Sequence, residues 1–153
     1  NGLMPVLRPI GWCVLEPDAV TEIIPETDAE SSATKKTLTF ITRKAPYGQS
    51  YAKACLDMVL SASVFDQRVN YVFMDDGVYQ LLKNQAPAAI HAKNLSAAFP
   101  ALELYDIDKV FVDEASLHSR GLSAESLCLP SAAICSIKQI QSLISESDVV
   151  FNL

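Results

Sequence analysis

Strand-like and helix-like spacing alternate along this chain from residue 37 onward, and that alternation restricts the available folds more than any other feature. Residues 37–43, Thr-Leu-Thr-Phe-Ile-Thr-Arg, are β-branched and alternating, which predicts a strand that Pro46 and Gly48 bring to an end. From 49 to about 65, the spacing of Ala52, Cys55, Val59 and Ala62 places one small apolar stripe on a helix. Residues 69–74 predict a second strand, 109–112 a third, 132–135 a short fourth and 149–151 the last. Between them the pattern predicts a helical turn over 78–82 and a helix over 95–104 that Pro100 kinks or restarts. It also predicts a turn or short helix over 116–120 with Gly121 as C-cap, and a helix over 136–145. Parallel strands need crossovers, and crossovers cover the faces, so the expectation is an α/β fold with a single, mostly parallel sheet. Strand order does not follow from periodicity.

A chain of 153 residues, half of them hydrophobic, has enough apolar surface for one core and no need of a second. Its longest apolar runs fall well short of the roughly 20 residues that cross a bilayer, so no membrane span is expected. The first residues carry neither a basic leader nor a continuous apolar stretch, and the expectation is a cytoplasmic site.

The net charge of −6 is unevenly distributed. Residues 1–34 carry Arg8 against six Asp and Glu, whereas the remainder carries 11 Lys and Arg against 12 Asp and Glu. Four prolines and the polar run 26–34 make residues 1–34 an acidic extension or linker, weakly anchored, and 35–153 the folded domain. A near-neutral body with an acidic leader offers no field for a phosphate backbone, which argues against direct nucleic-acid binding.

Cys13, Cys55, Cys128 and Cys135 form no Cys-x-x-Cys pair, and neither His91 nor His118 stands at zinc-ligand spacing from them. No metal site and no cofactor are expected. Cys55 falls on the apolar helix stripe and reads as core. Cys128 lies between two leucines, and Cys135 precedes the last helix, where a helix N-terminus lowers a thiol pKa. Cys135 is therefore the first candidate nucleophile and Cys128 the second, with a packing role the more common alternative for both.

Three motifs remain, in fixed order: Lys44-Ala45-Pro46-Tyr47-Gly48, then Asp75-Asp76-Gly77-Val78-Tyr79-Gln80-Leu81, then Val112-Asp113-Glu114-Ala115-Ser116-Leu117-His118-Ser119-Arg120-Gly121-Leu122. The Pro46–Gly48 corner has one glycine and lacks the Gly-rich spacing of a phosphate loop, so a tight turn with Tyr47 packed on a neighbour is the plainer reading. Adjacent carboxylates on an extended strand point to opposite faces, which argues against Asp75 and Asp76 sharing one ion. Asp76 is expected to cap the following turn, and Gly77 to supply a conformation closed to other residues. Asp113 is expected to cap the turn that follows the third strand.

Together with the closing Ser147-Asp148-Val149-Val150-Phe151, these motifs resemble the DsrF/TusC family, the middle subunit of the DsrEFH and TusBCD sulfur-relay complexes. The resemblance runs from about Lys36 to Leu153. It implies a three-layer α/β/α sandwich with about five strands. It also implies a heterohexamer with DsrE/TusD-like and DsrH/TusB-like partners, to which small sulfur-carrier proteins come. In the DsrE/TusD paralogues the persulfide-carrying cysteine stands eight residues before the glycine of an Arg-Gly pair, and counting back from Gly121 gives Asp113. A carboxylate cannot carry sulfane sulfur. The expectation is thus a non-catalytic subunit, in 2-thiolation of wobble uridine in tRNA or else in oxidation of stored sulfur. The rivals are a persulfide carrier using Cys135 or Cys128, and a small-ligand-binding α/β module unrelated to sulfur that uses the Pro46–Gly48 corner. Pro46, Tyr47, Gly48, Asp76, Gly77 and Tyr79 are expected in interface or functional loops, with Tyr47 and Tyr79 as candidate anchors.

Overall fold

Five parallel strands form one sheet in the order β4-β3-β2-β1-β5, as seen in a computed structural model that describes residues 34–153. They are β1 (Thr37–Thr42), β2 (Arg68–Phe73), β3 (Val110–Asp113), β4 (Ala133–Cys135) and β5 (Val149–Asn152). The helices are α1 (Tyr51–Val64), α2 (Pro100–Leu104), α3 (Glu114–Ser119) and α4 (Ile137–Ser145), with short 3₁₀ segments at Asp75–Leu81, Pro87–Ile90, Ser96–Ala98 and Ala124–Ser126. The expected acidic extension, Thr34 apart, and Cys13 lie outside the described residues.

The strand order explains the layers. From β1 to β4 the chain steps always in one direction, and crossovers of one hand place their helices on one face. That face carries the main core: Leu56 and Val59 of α1, Leu102 of α2 and Leu117 of α3 pack against Phe40, Tyr71, Phe73, Val110 and Val112. The return from β4 to β5 runs in the opposite direction, and α4 covers the other face. Ile140 of α4 packs there with Ile41, Val72 and Cys135. The two faces are unequal, and a single helix of nine residues serves the second.

Side-chain alternation divides the strands between these faces. In β2, Val69, Tyr71 and Phe73 enter the main core while Val72 faces α4. Burying each of the larger side chains contributes about 1.5–3 kcal/mol. Phe151 stacks on Phe40 at 4.8 Å between centroids, which fastens β5 to β1 and adds about 0.5–1.5 kcal/mol beyond area.

Two helices stop in the same way. The pairs Phe65-Asp66 and Tyr105-Asp106 follow α1 and α2, and both aspartates take left-handed φ, 56° and 55°. Asp is among the few non-glycine residues that tolerate this region. The region 95–104 restarts at Pro100, one of the two outcomes expected of it: a 3₁₀ turn precedes α2, which begins at Pro100. Proline lacks the N–H that a continuous helix needs there, whereas the first helical position leaves it unused. At α3, Leu122 N–H returns to Leu117 O and Gly121 N–H to His118 O, with Gly121 at φ 64°, a Schellman closure one residue past the Arg120 cap.

Candidate functional site

Parallel strands all end on one edge, so the loops after β1, β2 and β3 meet, and with them the three motifs. At the end of β3, Asp113 is the N-cap of α3: its Oδ2 accepts the backbone N–H of Ser116 at 2.9 Å and the Ser116 hydroxyl at 2.5 Å. Ser116 Oγ in turn accepts the N–H of Asp75 at 2.8 Å, which ties the end of β3 to the end of β2. Asp113 is buried, and its second oxygen, Oδ1, has no hydrogen-bond partner.

Asp75 and Asp76 separate, although they open a 3₁₀ segment and do not lie on an extended strand. Asp75 Oδ2 pairs with Arg43 Nε at 2.5 Å, and Asp76 Oδ1 receives Nε and Nη2 of Arg120 at 3.1 and 2.8 Å. Asp76 is therefore not a cap; the N-cap position of the 3₁₀ segment is Met74, and no side chain caps it. A guanidinium 44 residues away outbids the local backbone for that carboxylate. Arg120 also donates to Ser116 O and stands 5.9 Å from the centroid of the Tyr79 ring.

Gly77 corrects its expectation too. The two glycines of left-handed φ among the described residues are Gly48 and Gly121, not Gly77. A Cβ at Gly77 would lie 2.2 Å from the carbonyl oxygen of Thr42. The residue is glycine because the backbone after β2 presses on the end of β1, a close approach rather than a special conformation.

The Pro46–Gly48 corner is held from below. Tyr47 Oη donates to Gln85 Oε1 at 2.5 Å, and Gln85 Nε2 reaches the carbonyls of Tyr79, Gln80 and Leu82. Gln80, fully buried, donates to Thr42 Oγ1 and to Lys44 O. Sequence reasoning missed Gln80, Gln85, Ser116 and Arg120 as the parts that lock this edge. A buried glutamine leaves no periodic mark, but Arg120 stood in the third motif and could have been matched to a carboxylate.

The described cysteines offer no activated thiol. Cys55 is fully buried, and burial pushes it up to about 11 against the lowering effect of the nearby Tyr71 and Thr42 hydroxyls. The Tyr71 hydroxyl makes no hydrogen bond of good geometry, and burial together with the neighbouring Cys55 raises it as well. Burial also raises Cys128 and Cys135. Cys135 closes β4 in register with Asp113 and packs beneath Ile140 of α4, so burial outweighs the helix terminus expected to lower it. Among the described residues, no group of three or more His, Cys, Asp or Glu is placed to hold a metal ion, and no helix is long and apolar enough to cross a membrane.

A family model described as the DsrE/DsrF-like family matches residues 36–153, which takes in every strand and all three motifs. The chain belongs to the DsrE/DsrF-like family. Among its relatives in that family, the intracellular sulfur oxidation protein DsrF of Allochromatium vinosum is 35% identical over 130 residues, 76% of this chain and 96% of that one. A TusC homolog of Vibrio vulnificus is 36% identical over 110 residues, covering 72% and 92%. Protein TusC of Buchnera aphidicola is 33% identical over 117 residues, covering 76% and 98%. The crystal structure of the ychN protein from E. coli matches with a TM-score of 0.65 at 18% identity, covering 77% of this chain and 99% of that one. At that identity the likeness speaks for the fold, a DsrE/DsrF-like parallel sheet.

Proposed function

We propose that this chain is a non-catalytic subunit of a sulfur-relay sulfurtransferase. Its partners are a DsrE/TusD-like chain that carries the persulfide and a DsrH/TusB-like chain, two copies of each in a heterohexamer. The single observation that carries this reading is Asp113. By the family resemblance it stands where the paralogues have their carrier cysteine, and its carboxylate caps α3 and holds Ser116. Persulfide transfer needs a thiolate that can reach a second thiolate, and the described cysteines are raised and at least half-buried. The role left to the chain is to position the partner that has the thiol.

For the pathway, we propose 2-thiouridine formation at the tRNA wobble position in the cytoplasm, with small sulfur-carrier proteins reaching the complex and with tRNA bound elsewhere than on this chain. The TusC relatives support it. The DsrF relative supports a second reading, oxidation of stored sulfur, and its alignment of 130 residues is longer than the 110 of the Vibrio TusC homolog. Two measurements separate these. Incubating the chain alone and with both sister subunits with a sulfane-sulfur donor, followed by intact-mass analysis, should show an added sulfur atom on the DsrE/TusD-like chain and none here. Deleting the gene and measuring wobble thiolation in bulk tRNA should show its loss; normal thiolation with impaired turnover of stored sulfur would select the second reading.

A further inference from the structure

Three clefts meet around Tyr47. One of about 440 Å³ runs between α1 and residues 92–98 over Leu56 and Leu95. A second of about 280 Å³ lies between Tyr47 and Tyr79, with exposed Ile90 on its wall. A third of about 360 Å³ opens toward Lys44 and Asp76. The hydroxyl of Tyr47 is fixed on Gln85, so the ring is a rigid ridge between these clefts.

The rim carries more positive than negative charge, three lysines against two carboxylates. Lys53 and Lys93 border the largest cleft and Lys44 the third, all three exposed, and none has an ion-pair partner among the described residues. Of the two carboxylates on these rims, Asp76 is engaged by Arg120, which leaves Asp57 alone against three lysines. This is a positive island on a chain of net charge −6. An apolar floor with cations at its edge complements a ligand that is apolar at its centre and anionic at its flanks.

We propose that these clefts are a docking groove for an extended acidic segment of a partner protein. One apolar side chain of the segment seats over Leu56 and Leu95, and its flanking carboxylates lie on Lys44, Lys53 and Lys93. The shape favours a peptide over a small metabolite, because the clefts are open, lie side by side and hold their polar groups at the rim rather than converging on one point. Three cations without a row of aromatic platforms are a poor track for a nucleic-acid strand. The inference does not depend on sulfur chemistry, and co-assembly with sister subunits can fail while peptide docking stands, or the reverse.

The test is fluorescence anisotropy of the full chain with a short fluorescein-labelled poly-glutamate peptide bearing one central phenylalanine. Saturable binding is expected, weakened roughly tenfold in the Lys53→Glu/Lys93→Glu double variant and by raised salt. Lys138→Glu, on α4 across the sheet, should leave it unchanged. Circular dichroism of the variants checks the fold, and the milder Lys53→Gln/Lys93→Gln pair should give an intermediate loss. Absence of saturable binding, equal loss in the Lys138→Glu control, or full displacement by single-stranded RNA at lower concentration than unlabelled peptide would each overturn the proposal.

Discussion

Asp113 and Cys135 are register partners at the ends of β3 and β4, so a helix-capping carboxylate stands one strand away from a thiol buried beneath α4. Both positions are buried: the one at the end of β3 holds a carboxylate and no sulfur, and the neighbouring sulfur is covered by Ile140. Brief alkylation of the native chain near neutral pH should leave Cys55 and Cys135 unmodified, while both react in urea. Peptide mapping checks this. Rapid native labelling of Cys135 would restore the carrier reading that its burial argues against.

Cys55 gives the folded chain an alkaline limit. Its folded pKa of about 11 exceeds the ordinary 9.0, so the native thiol holds its proton where the unfolded one has released it. The stabilisation is fully present below pH 9 and is lost as pH rises from there through 11, by about 3 kcal/mol in all. Urea titrations between those pH values should show a steeper fall for the wild type than for Cys55→Ala. Tyr71 adds a further alkaline loss that Cys55 itself enlarges, so the difference between the two proteins reports the coupled Cys55–Tyr71 pair.

Gly77→Ala should be severely destabilising, about 3 kcal/mol or more, because the added methyl meets the Thr42 carbonyl at 2.2 Å and the neighbour is backbone of a central strand. Gly48→Ala is the control. Nothing lies within 4 Å of a Cβ there, and only the left-handed φ of 92° opposes it, at about 1 kcal/mol. Chemical denaturation of the two variants gives the ranking.

Tyr79→Ala should leave the far-ultraviolet spectrum nearly unchanged, since the ring is half-buried and its described partner is the guanidinium of Arg120 at 5.9 Å from its centroid. Assembly with the two sister subunits should weaken by about 2 kcal/mol if the ring anchors an interface. Light scattering of the co-purified complex at dilute concentration reads the difference. Arg120→Ala separates a direct role from an indirect one: it removes the Asp76 pair, a partly exposed contact worth less than about 1 kcal/mol, and frees the ring without deleting it.

We further propose that residues 1–34 are an extension and 35–153 a self-sufficient domain. A chain beginning at Thr34 should then unfold cooperatively, with a melting temperature within a few degrees of the full chain. A large fall would assign the first segment to the core.

The strands were legible because each carried a local signature. Thr37–Thr42 and Arg68–Phe73 are β-branched and aromatic over six residues, and the stripe Ala52, Cys55, Val59 faces the sheet as its spacing required. Asp113 as a cap was also legible, because its partner Ser116 is three residues away. What failed was non-local. Asp76 was assigned to its own turn because Arg120, 44 residues on, is invisible to a local window. Gly77 was given a conformational reason because no pattern reports how near one loop passes to another strand. Cys135 was placed by the start of its helix, and the burial that raises its pKa comes from Ile140 within that helix and from Ile41 and Val72, far away in sequence. The unequal thickness of the two faces follows from strand order, which periodicity does not encode.

The single helix on the second face has a consequence for storage and expression. Within the described residues, α4 is the one connection from β4 to β5, and β5 covers the outer edge of β1 through a four-residue pairing and the Phe151 stack. Peeling away the segment from α4 onward needs few apolar contacts to break, and it bares a row of free N–H and C=O groups along β1. A bare parallel edge is a template for adding strands from other molecules. Partial opening of this corner, rather than global unfolding, is then the step that commits the protein to aggregate.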